Sequence, residues 1–248
     1  GTPSSGGEAG DFNLFFSGAD RSAPNGVWYF TLAADQGLAD RMVIKSMVPG
    51  SRTNGTAACK TPNANVNNEL INLSTRNDVR TGDDIAIAGF VITGNTQKCV
   101  VVQALGPSVG VPPEVNRILY PVLALKSGQT TIAQNDDWQV QDNPADADII
   151  ANLGDSYVPN LPREAAIYKC LNPGTYTALA TGYLNTTGVG QIAVYDADDS
   201  SSYLSNISTR SWVGTGHRIS IGGFVIMGDQ PKKILLRGIG PSMQSVFP

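Results

Sequence analysis

The sequence predicts an all-β fold, a jelly-roll-like β-sandwich made of repeated units, and three observations carry that expectation. Short apolar runs alternate with polar residues at a period of two. Glycine, with 27 of 248 residues, joins Asn, Thr and Ser to supply the turns that short strands need. A stretch of 38 residues also occurs twice. Residues 72–109 and 206–243 align without a gap at an offset of 134, and 18 of the 38 positions are identical. A repeat with a domain-length period sets the architecture and is read before any local pattern.

The elements follow in chain order. Pro24-Asn25-Gly26 is a turn, and Val27-Trp28-Tyr29-Phe30-Thr31 after it reads as a strand; the run resembles Pro173-Gly174-Thr175-Tyr176-Thr177. Met42-Val43-Ile44-Lys45 then stands in the place of Gln191-Ile192-Ala193-Val194. In the first repeat copy, Thr81-Gly82 is a turn, and Ile85 and Ile87 alternate with Ala86 and Ala88 on a strand with one buried face. Gly89-Phe90 marks a bulge or a close backbone approach. After a turn at Gly94-Asn95, residues 99–102 form a nearly continuous apolar strand, and the motif closes on Gly106-Pro107-Ser108. Residues 122–125 and 131–133 are short strands, and 146–153 fits two helical turns. Residues 165–170, 175–181 and 191–195 are three more strands. The second copy repeats the opening hairpin.

The period of 134 delimits one complete unit at residues 72–205. Residues 206–248 hold only an opening half, and residues 1–71 read as a closing half carrying an insertion at 51–68. Half a sandwich can neither bury its apolar face nor satisfy its strand edges. Three arrangements answer this. The two halves pair within one chain, or the C-terminal half of one chain pairs with the N-terminal half of the next in a head-to-tail homopolymer, or the chain is a piece of a longer repeat protein. The residues expected at such a junction are Ile219, Ile221, Phe224, Ile226, Ile234 and Leu236 on one side and Trp28, Phe30 and Val43 on the other.

Several short motifs carry a family likeness. Asn-[Leu/Ile]-Ser-Thr-Arg, Gly-Phe-Val-Ile, Gly-Pro-Ser, Asn135-Asp136-Asp137-Trp138, Pro162-Arg163-Glu164-Ala165-Ala166-Ile167, Pro173-Gly174-Thr175-Tyr176-Thr177-Ala178 and the run from Thr186-Thr187-Gly188-Val189-Gly190 to Val194-Tyr195-Asp196-Ala197-Asp198 resemble a repeat of large exported bacterial surface proteins. Its second half is similar to bacterial pre-peptidase C-terminal β-sandwiches. The resemblance covers about 72–243. It implies export and a β-sandwich, and it carries no catalytic residues.

Composition excludes some functions. The charged fraction is 15% and the net charge −4, without the basic footprint of a nucleic-acid binder. No apolar run reaches the roughly 18 residues that span a bilayer. Low Lys content and a Gly/Ser/Asn/Thr-rich surface fit an extracellular or cell-surface protein. Cys59, Cys99 and Cys170 allow one disulfide and one remaining thiol. Asn54, Asn72, Asn185 and Asn206 lie in glycosylation sequons.

Candidate chemistry sits in a few places. Asn135, Asp136 and Asp137 on one loop, with Asp196 and Asp198 on another, offer the clustered oxygens that calcium takes; the same residues are ordinary turn formers. Trp138, Trp212, Tyr183 and Tyr203 are the aromatics available to stack on an extracellular polysaccharide. Arg76 and Arg210 recur in the Ser-Thr-Arg motif, as sugar or carboxylate contacts or as forks that bond carbonyls within the unit. Asp137 and Glu164 could pair as glycosidase acids. The only histidine, His217, replaces Asp83 of the other copy on a turn. No catalytic set emerges, and the expectation is a non-enzymatic protein. The leading function is the subunit of an extracellular filament or surface layer; the alternative is a carbohydrate-binding or adhesive surface module.

Overall fold

A computed structural model describes residues 10–20, 26–34, 42–50, 69–228 and 231–240. These form an all-β protein with one α-helix, as the alternation and turn content predict. The strands are β1 (Gly10–Asp20), β2 (Gly26–Ala34), β3 (Met42–Gly50), β4 (Glu69–Val79), β5 (Ala86–Thr93), β6 (Lys98–Leu105), β7 (Pro121–Ser127) and β8 (Thr130–Asn135). After the helix α1 (Ala145–Leu153) come β9 (Ala165–Leu171), β10 (Gly174–Gly182), β11 (Gly188–Asp196), β12 (Tyr203–Val213), β13 (Ile221–Met227) and β14 (Lys233–Ile239). Among the described residues, no helix is long and apolar enough to cross a membrane.

Hydrogen bonding joins the strands into two arms. One runs β14-β1-β12-β5-β10-β7-β8 and the other β3-β2-β13-β4-β11-β6-β9. Neighbours within each arm are antiparallel. The arms touch where β4 and β12 run parallel, at Leu70 beside Leu204 and Asp78 beside Trp212. Both arms supply one core that includes Leu73, Phe90, Val102, Leu123, Ile192 and Ile207.

The opening strands of the two repeat copies keep equivalent partners. Arg76 on β4 faces Gln191 on β11, and Arg210 on β12 faces Asn13 on β1. Val102 faces Val194 as Leu236 faces Phe16. Ile92 faces Gly174 as Ile226 faces Gly26. β1 and β2 therefore meet β12, β13 and β14 in the register that β11 and β10 use on β4, β5 and β6. The likeness of residues 24–31 to 173–177 has its counterpart in this pairing. Met42–Lys45 differ from expectation: β3 lies outside β2, with Val43 opposite Ala33, as β7 lies outside β10. β1 takes the place beside β12. A short apolar run does not encode which neighbour it pairs with, so the pattern alone misplaced it.

β5 buries one face, as the alternation predicts. Ala86, Ala88, Phe90 and Ile92 point into the core, whereas Ile87 is half-buried on the opposite face. Small residues line that part of the core because Phe90 and Tyr176, stacked at 5.7 Å, fill it. β6 is buried on both faces. Its second face meets a satellite cluster around Val101, Ile150 and Ala166, to which α1 contributes.

Candidate functional site

The junction of the two repeat copies is polar at its centre. Asn77 is buried, and its Oδ1 accepts hydrogen bonds from Thr75 Oγ1 at 3.1 Å, Ser211 Oγ at 2.9 Å and Ser220 Oγ at 2.8 Å. Asn77 and Ser211 are 134 residues apart and occupy one position of the repeat. Three hydroxyls on one acceptor fix the lateral position of β12 and β13 against β4, because a slipped register would orphan buried polar groups. Of the expected junction residues, Phe224 pairs with Leu73 and with Trp28, and Ile221 with Arg76 and Thr31. Gly222 lies opposite Phe30. Ile226 is buried, and Ile234 and Leu236 pack on the core from β14. Ile219 precedes β13, half-buried beside buried Ser220. All these pairings are made within the one chain.

The second feature is a buried charge cluster that sequence reading passed over. Lys98 opens β6, and its fully buried Nζ lies 2.8 Å from Asp196 Oδ1 and 3.0 Å from Asp198 Oδ1. It also donates to the Asp198 carbonyl at 2.9 Å. Asp198 further accepts from the Cys99 N–H at 2.8 Å and from Ser200. Burial alone would lower the Lys98 pKa, but the two carboxylates outweigh it and raise it. Burial would likewise raise Asp198, and the bonds from Cys99, Lys98 and Ser200 hold it below the ordinary carboxylate value. One signal was available: a lysine recurs at Lys232, the same position of the second copy. Beside this cluster, Cys99 and Cys170 form a disulfide between β6 and β9. Cys59 lies outside the described residues.

The expected calcium ligands are used otherwise. Asn135 is buried, donates to the Asp137 and Val140 carbonyls at 2.9 Å each, and accepts from the Ala166 N–H. Asp196 and Asp198 are committed to Lys98, whose ammonium stands where a cation would. Asp136 is exposed, and Asp137 caps the Gln139 N–H. Among the described residues, no group of three or more His, Cys, Asp or Glu could hold a metal ion. The turn-forming reading describes these residues better.

Glu164, suggested as an acid partner of Asp137, is held in a structural role. Glu164 is fully buried, and its Oε1 accepts from the N–H groups of Gly106 and Ser108 and from Ser108 Oγ. Its Oε2 takes the Leu161 N–H. Glu164 therefore clamps the Gly106-Pro107-Ser108 turn. Arg210 donates to the Asp83 carbonyl of the other repeat copy. Burial lowers the Arg76 pKa. His217 is exposed on its turn.

The four aromatics expected to meet sugars are dispersed in role. Trp138 packs into the satellite cluster with Ile150 and Ala166. Trp212 is covered on one side by the Arg80 guanidinium, 4.1 Å from the ring centre. Tyr203 is half-buried, with the Lys232 ammonium 6.0 Å from its ring centre. Tyr183 alone among them is exposed, at 50%, and pairs with Tyr120 at 5.3 Å between ring centroids. Exposed Leu119 and Leu184, the latter 79% exposed, extend this ledge. Leu184 and Asn185 both adopt left-handed backbone, with φ of 51° and 60°. A branched residue seldom takes that conformation, and such outliers cluster at binding sites. Desolvation first, then the Asp136 and Asp137 carboxylates, push the Tyr120 phenol up, with Arg163 opposing.

A shallow groove of about 490 Å³ crosses the other face of β12, β5, β10 and β7. Ile87 and Leu179 line it with apolar side chains, and Lys126 and Arg210 with cationic ones. In comparisons with known proteins, no family model, no curated protein and no solved structure matches this chain.

Proposed function

We propose that the protein is an extracellular structural module, a repeated β-sandwich in which residues 72–205 form one unit and residues 206–248 are completed by residues 1–71. The observation that carries the reading is the shared register: β1 and β2 meet the second copy as β11 and β10 meet the first. With these partners inside one chain, a closed module is favoured over a head-to-tail filament, although the same strands exchanged between chains would build one. The Cys99–Cys170 bridge fits an oxidising compartment. Light scattering and electron microscopy of the 248-residue chain test the reading. A concentration-independent monomer is expected, and filaments would overturn closure. Deleting residues 206–248 separates the cases further. A closed module loses cooperative folding throughout, whereas a filament subunit keeps a folded central unit and loses only assembly.

An adhesive role at the Tyr120–Tyr183 ledge is the second reading, favoured by the exposed ring pair and the left-handed Leu184. Flat aromatic faces beside carboxylates suit a pyranose ring with its hydroxyls. Saturable binding to a soluble polysaccharide panel that is lost in Tyr183→Ala and kept in Trp138→Phe would support it. Equal binding by all variants would overturn it.

A further inference from the structure

We propose that Lys98 and Asp196 become joined by an intramolecular amide, formed by the folded protein itself, with Asp198 moving the proton. Three groups of the right kinds converge. Lys98 Nζ lies 2.8 Å from Asp196 Oδ1, and both side chains are fully buried. Asp198 Oδ1 lies 3.0 Å from the same nitrogen and is 25% exposed. An amine, a carboxyl carbon to receive it, and a second carboxylate in contact with the amine make up the set that condensation requires. The other residues of that strand's inner face are aliphatic.

The steps balance. One proton passes from Nζ to Asp196 along their hydrogen bond, giving a neutral amine and a neutral acid as a transient state, since the two carboxylates hold the ammonium charged at equilibrium. Nζ then adds to Cγ of Asp196; the C–N bond forms and the carbonyl electron pair moves onto oxygen. Asp198 takes a proton from the nitrogen and delivers it to the departing hydroxyl. The C–O bond breaks, and water leaves. Ammonium and carboxylate have become amide and water, without oxidant or co-reactant. The two acids suit different roles because their surroundings differ. Asp196 is enclosed with the amine, whereas Asp198 is kept ionised by the Cys99 N–H and Ser200. The fold holds the reactants in contact, and such fixed proximity is equivalent to an effective concentration of about 10⁵–10⁸ M.

The bond would complete a clamp. β6 is tied to β9 through Cys99, and the amide at the neighbouring residue would tie it to β11, its other partner. A central strand bonded covalently on both sides resists mechanical and thermal opening without any change of fold. This inference does not depend on whether the two halves close within or between chains.

Mass spectrometry of the reduced, unfolded 248-residue chain tests it. The expected mass is one water below that of the sequence, with a tryptic digest yielding a branched peptide that contains both Lys98 and Asp196. A full sequence mass after prolonged incubation of folded protein would overturn the proposal. So would the loss of water without a branched peptide, because a succinimide at an aspartate has the same mass change but joins nothing. Lys98→Arg is expected to show the full mass. Asp198→Asn keeps an acceptor for the Cys99 N–H and removes the proton carrier, so folded Asp198→Asn protein is expected to remain unlinked. Linkage at an undiminished rate in that variant would overturn the role of Asp198.

Discussion

Glu164 Oε1 accepts a hydrogen bond from Ser108 Oγ at 2.6 Å, across 56 residues of chain. The same oxygen holds the N–H groups of Gly106 and Ser108, so one buried carboxylate organises the turn that ends the hairpin of the first copy. Removing it leaves several donors without a partner inside the protein. Glu164→Ala is expected to cost about 2–5 kcal/mol, and Glu164→Gln less, since an amide oxygen still accepts. Urea unfolding followed by circular dichroism measures both. Equal, small losses would show that the clamp is not structural.

Gly89 on β5 faces Ser208 on β12. A Cβ at position 89 would sit 2.6 Å from Ser208 Oγ, closer than any real contact. Gly89→Ala should destabilise by about 1–3 kcal/mol through overpacking. Adding Ser208→Ala removes the obstructing atom and should recover most of the loss. The double-mutant cycle reports the coupling directly, and additive costs would argue that β5 and β12 are not neighbours in solution.

The Cys99–Cys170 bridge closes a loop of 71 residues. Constraint of the unfolded chain by a loop of that size is worth about 4 kcal/mol. Cys99→Ala with Cys170→Ala should lower stability by about that amount while leaving the far-ultraviolet spectrum unchanged. A difference below about 1 kcal/mol would mean that the bond contributes little.

The charge cluster sets a pH window whose two edges have opposite signs. Asp198 is depressed in the folded state, so its contribution is present above the unfolded carboxylate value of about 4 and is lost as pH falls through the lower folded value. Lys98 is raised, so its contribution is present below about 10.4 and is lost as pH rises through the higher folded value. Unfolding midpoints of the unlinked protein should therefore decline at both extremes, and Lys98→Met should flatten both limbs. Once the amide has formed, the alkaline limb disappears, because the nitrogen no longer titrates.

Much of this was legible in the sequence because strand formation is local. Alternation, Gly-bearing turns and the gapless repeat specified the all-β class and the short helix near residues 146–153 without reference to neighbours. Residues 24–31 also showed their likeness to 173–177 in sequence, and β2 occupies on β13 the register of β10 on β5. The alternation at 85–88 gave β5 one buried face without saying which; Ala86 and Ala88 take it, beside the stacked rings of Phe90 and Tyr176.

What the sequence alone could not determine were partners. Lys98 meets Asp196 and Asp198, about 100 residues away, and Glu164 meets Ser108; neither pair shares a local motif. The same holds for β1 beside β12, for β3 outside β2, and for Asn77 gathering Ser211 and Ser220. Local propensity follows from a residue and its near neighbours. Which carboxylate neutralises a buried ammonium, and which edge receives a strand, depend on the closing of long loops around a shared core, and only the tertiary structure settles them.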